Sequence, residues 1–564
     1  MSHADYITIA IFSLGILLTG ISFSNSGKSM KNFFAAGGNV PWWINSLSLF
    51  MGFVSASTFV VWGSIAYSSG WVAISIQWAM SIAGLVTGIF IAPKWHKTKS
   101  LTAAEYICHR LGTKTQKTYS YIYMSIMVIL KGVCLYAVAI ILQVATGVSL
   151  YWWIGLLGTV VLIYTTFGGL WAVVVTDVLQ FIILISAGLI LLPLSFIKIG
   201  GIGSFVEKIG SMDLPNFFNL SNHEYTVSFL LGFLFYNIFY LGGQWSFIQR
   251  YTSVASSRES KKVGILFGLF YIVSPVIWML PPMIYRAINP GLVGIESEQA
   301  YMQMCKTVLP PGMLGLITIS LIFATNSSVQ GFLNISAGVI TNDLYKAFYP
   351  QSSDKQLMQV ARLATLGIGI VVIMMGMMVP IMGGATNVIL SIASITGGAM
   401  YLPLIWTLFS KKQNSYTVLG TTILALAISL AYKFLIPVIY GNTLSRAAEM
   451  LVGVLVPILI IAFFEIALRT KNSPVTEYEN YQRYLLVKED SIAQKSCSDV
   501  DSEGENKFGK RMISIGILVT GFIIGVLGIM APNGKIYVLG MAFLLLIIGL
   551  GILLKTVKQI PNRQ

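Results

Sequence analysis

The sequence predicts an all-α protein that crosses the membrane many times. The chain of 564 residues is 55% hydrophobic but only 10% charged, whereas soluble proteins carry about 25% charged residues. Its mean hydropathy is +0.77, and apolar runs long enough to span a bilayer as helices recur along the whole chain. No stretch has the composition of a soluble catalytic domain, so we expect no enzyme.

The apolar runs divide the chain into a transport core and flanking helices. We predict about 15 spans, near residues 6–24, 42–70, 72–93, 118–147, 150–167, 171–199, 226–250, 261–285, 311–342, 358–381, 385–410, 416–436, 447–468, 513–531 and 535–555. The resulting segments are an N-terminal flanking helix with its loop (1–41), a ten-helix core (42–410), two flanking helices (411–469), a polar linker (470–512) and two C-terminal helices with a tail (513–564). The linker is rich in acidic residues, and we expect it to be flexible.

The positions of Lys and Arg predict the orientation of the chain. If the N-terminus is outside and each run crosses once, all but eight of the 36 Lys and Arg residues lie on the inner side, with Arg250 assigned to an inner loop. This predicts a multi-pass protein of the plasma membrane, in a bacterium the inner membrane, with a cytoplasmic C-terminus. Anionic lipid then accounts for the net charge of +15, so we expect the lipid bilayer as a partner, no nucleic acid and no obligate protein partner.

Two of the runs are interrupted by small and hydroxyl residues. The second run contains Ser55, Ser57 and Thr58 between apolar stretches, and the seventh contains Gly242 and Gly243. Non-helical backbone at membrane depth is tolerated only where it is buried in protein or lines a cavity. Small residues that merely let helices pack closely are the alternative for any one glycine. Two interrupted helices five spans apart, however, predict two inverted five-helix repeats with a binding site at the breaks.

The ninth run contains hydroxyl groups that suit a sodium ion. Ala324, Ser327 and Ser328 are spaced by three and four residues and share one face of a helix. If the broken second run faces this surface, the carbonyls of Met51 and Val54 complete a set of five oxygen ligands. Hydrogen bonding between helices is the alternative role for these hydroxyl groups.

Two ionisable residues lie within predicted spans. A charge near the bilayer centre costs about 2.5–3.5 kcal/mol on insertion scales, so such residues are functional candidates by default. Lys131 is deep in the fourth run, where it binds an anionic substrate or pairs with another group of the protein. Asp177 lies nearer the inner face, where it is either an inner-gate or ion-exit carboxylate or a solvated boundary residue.

Three motifs resemble the sodium:solute symporter family, which includes sodium–galactose, sodium–proline and sodium–sialic acid symporters. They are "FFAAGGNVPWW" before the second run, "YTTFGGLWAVVVTDVLQFIILISAG" with Gly168, Gly169 and Asp177, and "ATNSSVQGFLNISAGVITNDLYK" in the ninth run. The resemblance covers roughly residues 6–470. It implies an inverted five-helix repeat of the LeuT-like type with flanking helices.

The resemblance also implies which residues bind sodium. The family's site between the first and eighth core helices corresponds to the carbonyls of Met51, Val54 and Ala324 and the hydroxyls of Ser327 and Ser328, the set already gathered from the residues. Some sialic acid members have a second sodium site, but the positions of its two extra hydroxyls are Gln330 and Gly331 in this chain. We therefore expect Na⁺ as the coupling ion and one sodium per cycle.

The candidate solute contacts also come from the resemblance. Where sugar symporters carry an acid and a lysine, this chain has Gln77 and Tyr271, which argues against a close match to them. Where sialic acid symporters carry a hydroxyl pair, a glutamine and an arginine, this chain has Ser55, Thr58, Gln77 and Lys131. Lysine keeps the charge of arginine but cannot form the bidentate hydrogen bonds that arginine makes to a carboxylate. Further candidates are Asn237, Tyr240 and Gln244 on the sixth core helix, with Tyr240 also a candidate gate residue beside Asp177.

These observations predict a sodium-coupled symporter that works by alternating access. Its expected cargo is a small organic solute that bears a carboxylate. A neutral sugar or amino acid, with Lys131 structural, is the alternative within transport. A membrane-embedded enzyme needs a His/Asp or Cys/His pair inside the membrane, and all four histidines lie outside the predicted spans. A sensor needs a larger soluble domain than residues 470–512 provide, and a channel needs no coupling between solute and sodium.

Overall fold

The computed structural model describes residues 1–22, 40–100, 102–164, 170–212, 214, 216–345, 348–349, 351–441, 445–470, 476–494 and 500–557. Gly168, Gly169 and most of the "FFAAGGNVPWW" motif lie outside these ranges. The long elements are helices: α1 (His3–Ser22), α2 (Trp42–Phe53), α3 (Thr58–Ser69), α4 (Val72–Lys97), α5 (Ala103–Leu111), α6 (Thr113–Thr146), α7 (Leu150–Tyr164), α8 (Leu170–Ile199), α9 (Ile202–Ser211), α10 (Val227–Gly243), α11 (Trp245–Thr252), α12 (Ser257–Ile288), α13 (Ala300–Val308), α14 (Met313–Gly338), α15 (Asp354–Met378), α16 (Gly384–Trp406), α17 (Ser415–Tyr440), α18 (Arg446–Thr470), α19 (Thr476–Gln494), α20 (Val500–Met530) and α21 (Lys535–Val557).

Most of the predicted spans correspond to helices that are long and apolar enough to cross a membrane. Among the described residues there are 11 such unbroken helices, or 13 spans when each of two bent pairs is counted as one. The remaining two predicted spans correspond to α1 and to α7, whose apolar part, Leu150–Leu162, is shorter. The all-α membrane class is thus confirmed, and the total of about 15 rests on these two helices.

The two predicted interruptions are real breaks in the chain direction. Helices α2 and α3 meet at an angle of 62°, and α10 and α11 meet at 61°. Val54 has an extended backbone after α2, and Gln244 has an extended backbone after α10. We call α2 with α3 the first core helix and α10 with α11 the sixth. The others of the ten are α4, α6, α7, α8, α12, α14, α15 and α16, in chain order.

Burial differs widely among the membrane-spanning helices. In the most apolar stretch of α16, 83% of residues are buried, whereas in α17 only 17% are. A second, smaller apolar cluster joins α1, α20 and α21 to α8 and α14. The flanking helices α1, α17, α18, α20 and α21 each pack against helices of the ten-helix core.

Glycine allows the second and seventh core helices to cross at very close range. A Cβ atom on Gly88 of α4 would lie 2.6 Å from the backbone nitrogen of Ile265, and one on Gly264 of α12 would lie 2.4 Å from the Cα of Gly88. Small residues at helix contacts in membranes permit this kind of backbone approach. The crossing holds α12 beside the broken first core helix, against which it also packs.

Side-chain caps define where several core helices begin. The Thr226 hydroxyl accepts the backbone N–H of Phe229 at the start of α10, and the Ser256 hydroxyl accepts that of Glu259 at the start of α12. Such caps satisfy backbone donors that the first turn of a helix leaves unpaired. The chain therefore marks these helix starts locally, independently of the surrounding packing.

The prediction of a flexible linker over 470–512 is wrong for residues 476–494. These residues form α19, which packs on α5: Tyr484 stacks on His109 with ring centroids 3.7 Å apart, and Lys488 donates to Glu105 at 2.7 Å. Tyr481 is buried in the same contact. The prediction failed because the tyrosines that recur every three to four residues are masked by the acidic composition around them.

Candidate functional site

The break in the first core helix leaves the predicted carbonyl ligands without their helical donors. In a continuous helix, the N–H of Ser55 would bond to Met51 and that of Thr58 to Val54. Here the Ser55 N–H donates to the Thr58 hydroxyl at 3.1 Å, and the Thr58 N–H donates to the Ser55 carbonyl at 3.0 Å. The oxygens of Met51 and Val54 are therefore available to another electron-pair acceptor.

The eighth core helix, α14, lies directly against this break. The Thr325 hydroxyl accepts the backbone N–H of Ala56 at 3.2 Å, and Ala324 precedes it on the same helix. Helix α14 is continuous through 324–328, so the Ala324 carbonyl is not released by any break there. The break that follows Met51 and Val54 thus lies beside the segment of α14 that contains Ala324. The side chain of Ser327 lies outside the described part of the structure.

Ser328 and Lys131, predicted to serve different ligands, are in contact. The Lys131 ammonium donates to the Ser328 hydroxyl at 2.6 Å, so the third core helix, α6, is bonded to the eighth. Within the described residues this hydroxyl is the one hydrogen-bond partner of the ammonium, and no carboxylate lies within ion-pair distance of it. The ammonium is partly buried, and a charge withdrawn from water normally has a counter-ion, so this one is only partly compensated.

Two predicted solute contacts of the first core helix are occupied by local bonds. The Thr58 hydroxyl accepts from the Ser55 N–H, and the Ser55 hydroxyl is 2.7 Å from that of Ser57. Each hydroxyl has further hydrogen-bonding capacity. Their first role is therefore to stabilise the unwound segment, and solute contact is a second role that this geometry leaves open.

Gln77 and Asn237 each present an unpaired polar atom inside the core. Both side chains are fully buried, on the second and sixth core helices, which pack against each other. The amide of Gln77 donates to the Ala73 carbonyl of its own helix, and that of Asn237 donates to Phe233. Among the described residues, the side-chain oxygen of each lacks a partner. An unpaired buried acceptor costs about 1–3 kcal/mol, so these oxygens suit the donors of a bound solute.

Gln244 is held in place at the break of the sixth core helix. Its side-chain nitrogen donates to the Tyr123 hydroxyl at 3.3 Å, and its oxygen accepts from the Tyr401 hydroxyl at 3.2 Å. Tyr123 in turn stacks on Trp245, with ring centroids 4.7 Å apart. The predicted solute residue Gln244 therefore connects the third, sixth and tenth core helices.

Tyr240 lies in an aromatic cluster directly before that break. Its ring is 5.7 Å from that of Phe53, 5.6 Å from that of Phe247 and 5.5 Å from that of Tyr401, between ring centroids. The rings come from the first half of the first core helix, from both halves of the sixth and from the tenth. A cluster in this position would hinder passage between the breaks and the end of the core at which α11 terminates.

Asp177 is buried at that end, and its partner is an arginine. Its side chain accepts from the Ser48 hydroxyl at 2.6 Å and lies 3.5 Å from the Arg250 guanidinium, whose Nε donates to Ser48 at 3.2 Å. Only 4% of Asp177 is exposed, so it is not a solvated boundary residue. Arg250, which the sequence assigns to a loop, is buried as well, because α11 carries it back against α8. We call this the Arg250 end.

A second buried carboxylate closes the opposite end of the core. Glu298, between α12 and α13, accepts from the Tyr136 hydroxyl at 2.9 Å and from the backbone N–H and hydroxyl of Thr386 at 2.9 and 3.2 Å. The neighbouring Ser297 hydroxyl is 2.6 Å from that of Ser64 on α3. We call this the Glu298 end; it connects the first, third and tenth core helices.

Sequence reasoning missed several residues of these networks, of which four are instructive. Thr325 directly follows the predicted ligand Ala324, and its hydroxyl was a usable signal. Tyr123 lies eight residues before Lys131 on the same helical face, which the helical period also indicates. Arg250 and Glu298 gave no local signal, because both adjoin loops in the sequence and their burial depends on how the helices pack.

A membrane protein with two broken helices facing each other, a strip of released carbonyls and a partly buried ammonium has the architecture of a transporter. Residues 33–425 match the sodium:solute symporter family, so the chain belongs to that family. The family's name also gives the coupling ion, Na⁺. The confirmed class is therefore a sodium-coupled membrane transporter.

Individual relatives agree with this assignment. The sodium/glucose cotransporter of Vibrio parahaemolyticus is 26% identical over 82% of this chain and 90% of its own. The sodium/sialic acid symporter SiaT of Proteus mirabilis is 25% identical over 76% of this chain and 89% of its own. The solved structure of a Na⁺-coupled sialic acid symporter in a substrate-bound, outward-open state superposes with a TM-score of 0.68 at 23% identity, covering 84% of this chain and 99% of that one. The fold is thus the predicted inverted-repeat type.

Proposed function

We propose that the protein imports a small organic solute bearing a carboxylate, together with sodium, by alternating access. The Lys131 ammonium carries this proposal, because it is partly buried among the core helices and meets a single hydroxyl among the described residues. An anionic solute would supply the missing counter-charge. The unpaired oxygens of Gln77 and Asn237 favour a solute that also carries hydroxyl or N–H donors. An acidic sugar, the class that the Proteus relative's name specifies, combines both features.

We assign the sodium ion to the carbonyls of Met51, Val54 and Ala324 and the hydroxyls of Ser327 and Ser328. Support comes from the rearranged hydrogen bonds of Ser55 and Thr58, which leave two of these carbonyls free beside α14. Sodium bound there joins the first core helix to the eighth. Solute contacts are assigned to Ser55, Thr58, Gln77, Lys131, Asn237, Tyr240 and Gln244.

The proposed orientation places the Arg250 end in the cytoplasm and the Glu298 end outside. The distribution of Lys and Arg supports it, with the N-terminus outside and the C-terminus inside a plasma membrane. Sodium and solute then enter past Glu298 and leave past Tyr240 and Asp177. The inner exit opens when the Asp177–Arg250 contact separates.

The sodium gradient limits what such a cycle achieves. Moving one charge across 100 mV releases about 2.3 kcal/mol, and a tenfold sodium gradient adds about 1.4 kcal/mol. A neutral solute could then accumulate roughly 500-fold with one sodium. A monoanion cancels the electrical contribution, which leaves roughly tenfold accumulation with one sodium.

A screen for ligand-dependent stability tests the proposal. Purified protein is heated with a library of acidic sugars, other carboxylates and neutral sugars, in sodium or in potassium buffer. A ligand that binds the folded state raises the melting temperature, and at a fixed concentration a tighter ligand raises it more. We expect such a rise only for carboxylates in sodium. The Ser327→Ala, Ser328→Ala double variant should lose the sodium requirement together with uptake. Uptake with unchanged sodium dependence by a correctly inserted double variant would contradict the assigned site.

A neutral sugar or amino acid is the second candidate solute. The bond from Lys131 to Ser328 favours it, because that bond gives the lysine a structural role, and one relative is a sodium/glucose cotransporter. The Lys131→Met variant separates the two candidates. Unchanged solute affinity and uptake in this variant would favour the neutral solute.

A further inference from the structure

The contact between Lys131 and Ser328 joins the candidate sodium site to the candidate solute site at one oxygen atom. We propose that the Lys131 ammonium is a tethered cation that occupies Ser328 when sodium is absent, and that sodium displaces it toward the solute carboxylate. This inference rests on the proposed function and adds the element that couples the two ligands.

The hydroxyl oxygen of Ser328 cannot serve both cations well. The ammonium donates to one of its lone pairs at 2.6 Å, and sodium coordination would need the same oxygen at short range. Two cations that share one buried oxygen lie a few ångströms apart, where repulsion is strong because little water screens it. Sodium at the assigned ligands therefore expels the ammonium from Ser328.

The ammonium is poorly compensated even where it contacts Ser328. Its three N–H donors have one acceptor among the described residues, and no described carboxylate lies within ion-pair distance of this position. A released Lys131 would remain a poorly compensated charge inside the core. An anionic solute supplies that compensation, so sodium binding raises the affinity of the site for an anionic solute.

The position of Lys131 on α6 places it between the two sites. Met127 and Tyr123 precede it by four and eight residues and share its face of the helix. Both contact Gln244, at 3.8 Å through the Met127 sulfur and at 3.3 Å through the Tyr123 hydroxyl. A rotation of the lysine side chain away from α14 therefore keeps it on the face of α6 that meets the break of the sixth core helix.

Thermodynamic linkage follows from this exchange. In this exchange sodium does not contact the solute. It raises solute affinity because it frees Lys131 from Ser328. Solute raises sodium affinity by the same factor, because it holds Lys131 away from Ser328. The exchange also selects an anionic solute, since a neutral one would leave the displaced ammonium uncompensated.

The test is a sodium titration of the Lys131→Met variant without solute, at one pH. Removing the tethered competitor should tighten sodium binding about tenfold, equivalent to about 1.4 kcal/mol. Sodium affinity is obtained from the rise in melting temperature over a sodium series, with potassium keeping ionic strength constant. The matched control is Lys433→Met, which removes a lysine paired with Glu449 on the peripheral helices and should leave sodium affinity unchanged.

The outcomes separate this inference from the proposed function. Sodium affinity that is unchanged or weaker in Lys131→Met, beside a clear sodium response of the unaltered protein, would overturn the tethered-cation proposal and leave sodium symport intact. Absence of any sodium response in the unaltered protein would overturn the proposed sodium site itself. If Lys131→Met does not insert, Lys131→Gln keeps a polar side chain without the charge and should show the same tightening.

Discussion

At the Arg250 end a buried carboxylate meets a guanidinium, whereas at the Glu298 end a buried carboxylate meets neutral donors. Asp177 shares the Ser48 hydroxyl with Arg250, and the three residues belong to the fifth, first and sixth core helices. Glu298 is held by the Tyr136 hydroxyl and by the first turn of the tenth core helix. Separation at the first end exposes two opposite charges, and separation at the second exposes one.

The difference bears on how each end responds to its surroundings. Removing only one partner of the Asp177–Arg250 pair destabilises the protein most, because the other charge is left buried and uncompensated. The carboxylate of Glu298 is balanced by hydroxyl and N–H dipoles at a helix N-terminus, where a negative charge is favoured. Burial raises the pKa of Glu298 above its usual value, so protonation also influences this end.

The largest expected effect is the loss of Arg250. The Arg250→Leu variant leaves the Asp177 carboxylate buried without its partner, which should destabilise the protein by about 3–5 kcal/mol. The measurement is the unfolding free energy of purified protein in detergent. The Asp177→Asn, Arg250→Leu double variant should be more stable than Arg250→Leu alone. Equal stability of the two variants would show that the charge of Asp177 is not what the arginine compensates.

A change at Glu298 should be smaller and should remove a pH dependence. Because its pKa is raised when the Glu298 end is closed, this carboxyl favours closure most below its ordinary pKa, and that contribution is lost as pH rises through the raised value. Glu298→Gln should therefore abolish the effect of acidification on closure, at a cost of about 1–3 kcal/mol from disturbed hydrogen bonds. The readout is labelling of a cysteine introduced at Ser64 over a pH series. Retained pH dependence in Glu298→Gln would assign it to another group.

A glycine beside Glu298 allows a further test of the Glu298 end. Gly384 has φ of +87°, and a Cβ atom there would lie 2.8 Å from the Glu298 carboxylate. Gly384→Ala should cost about 1–2 kcal/mol for the backbone conformation alone, plus the loss of room for the carboxylate. Gly147→Ala is the matched control, with φ of +80° and nothing within 4 Å. Equal melting temperatures for the two variants would show that the contact with Glu298 adds nothing.

The smallest effect is expected where α19 rests on α5, near the Arg250 end. Lys488 and Glu105 form a partly exposed ion pair at 2.7 Å, so Lys488→Met should cost about 0.2–1 kcal/mol. Its size is measured as the change in melting temperature at low and high salt, and the difference between the variant and the unaltered protein should shrink at high salt. A loss comparable with that of Arg250→Leu would mean that α19 helps to hold the Arg250 end closed.

The local features of the fold could be predicted from sequence to a large extent. Breaks after Phe53 and Gly243 follow from clusters of small and hydroxyl residues in otherwise apolar runs, and the structure confirms both. The family was also recognisable, because its motifs are contiguous in the chain. The sodium and solute residues remain predictions, although the break of the first core helix does lie beside α14, where Ala56 bonds to Thr325.

What the sequence by itself determined is which segments are apolar helices, where two of them must break and which hydroxyls share a face. These properties depend on neighbours within a few residues along the chain. Only the tertiary structure decided that Lys131 reaches Ser328, 197 residues away, that Arg250 is buried beside Asp177 and that Glu298 caps the tenth core helix. The physical reason is that a helical period gives a side chain its direction, whereas the helix that it meets depends on how all ten core helices pack.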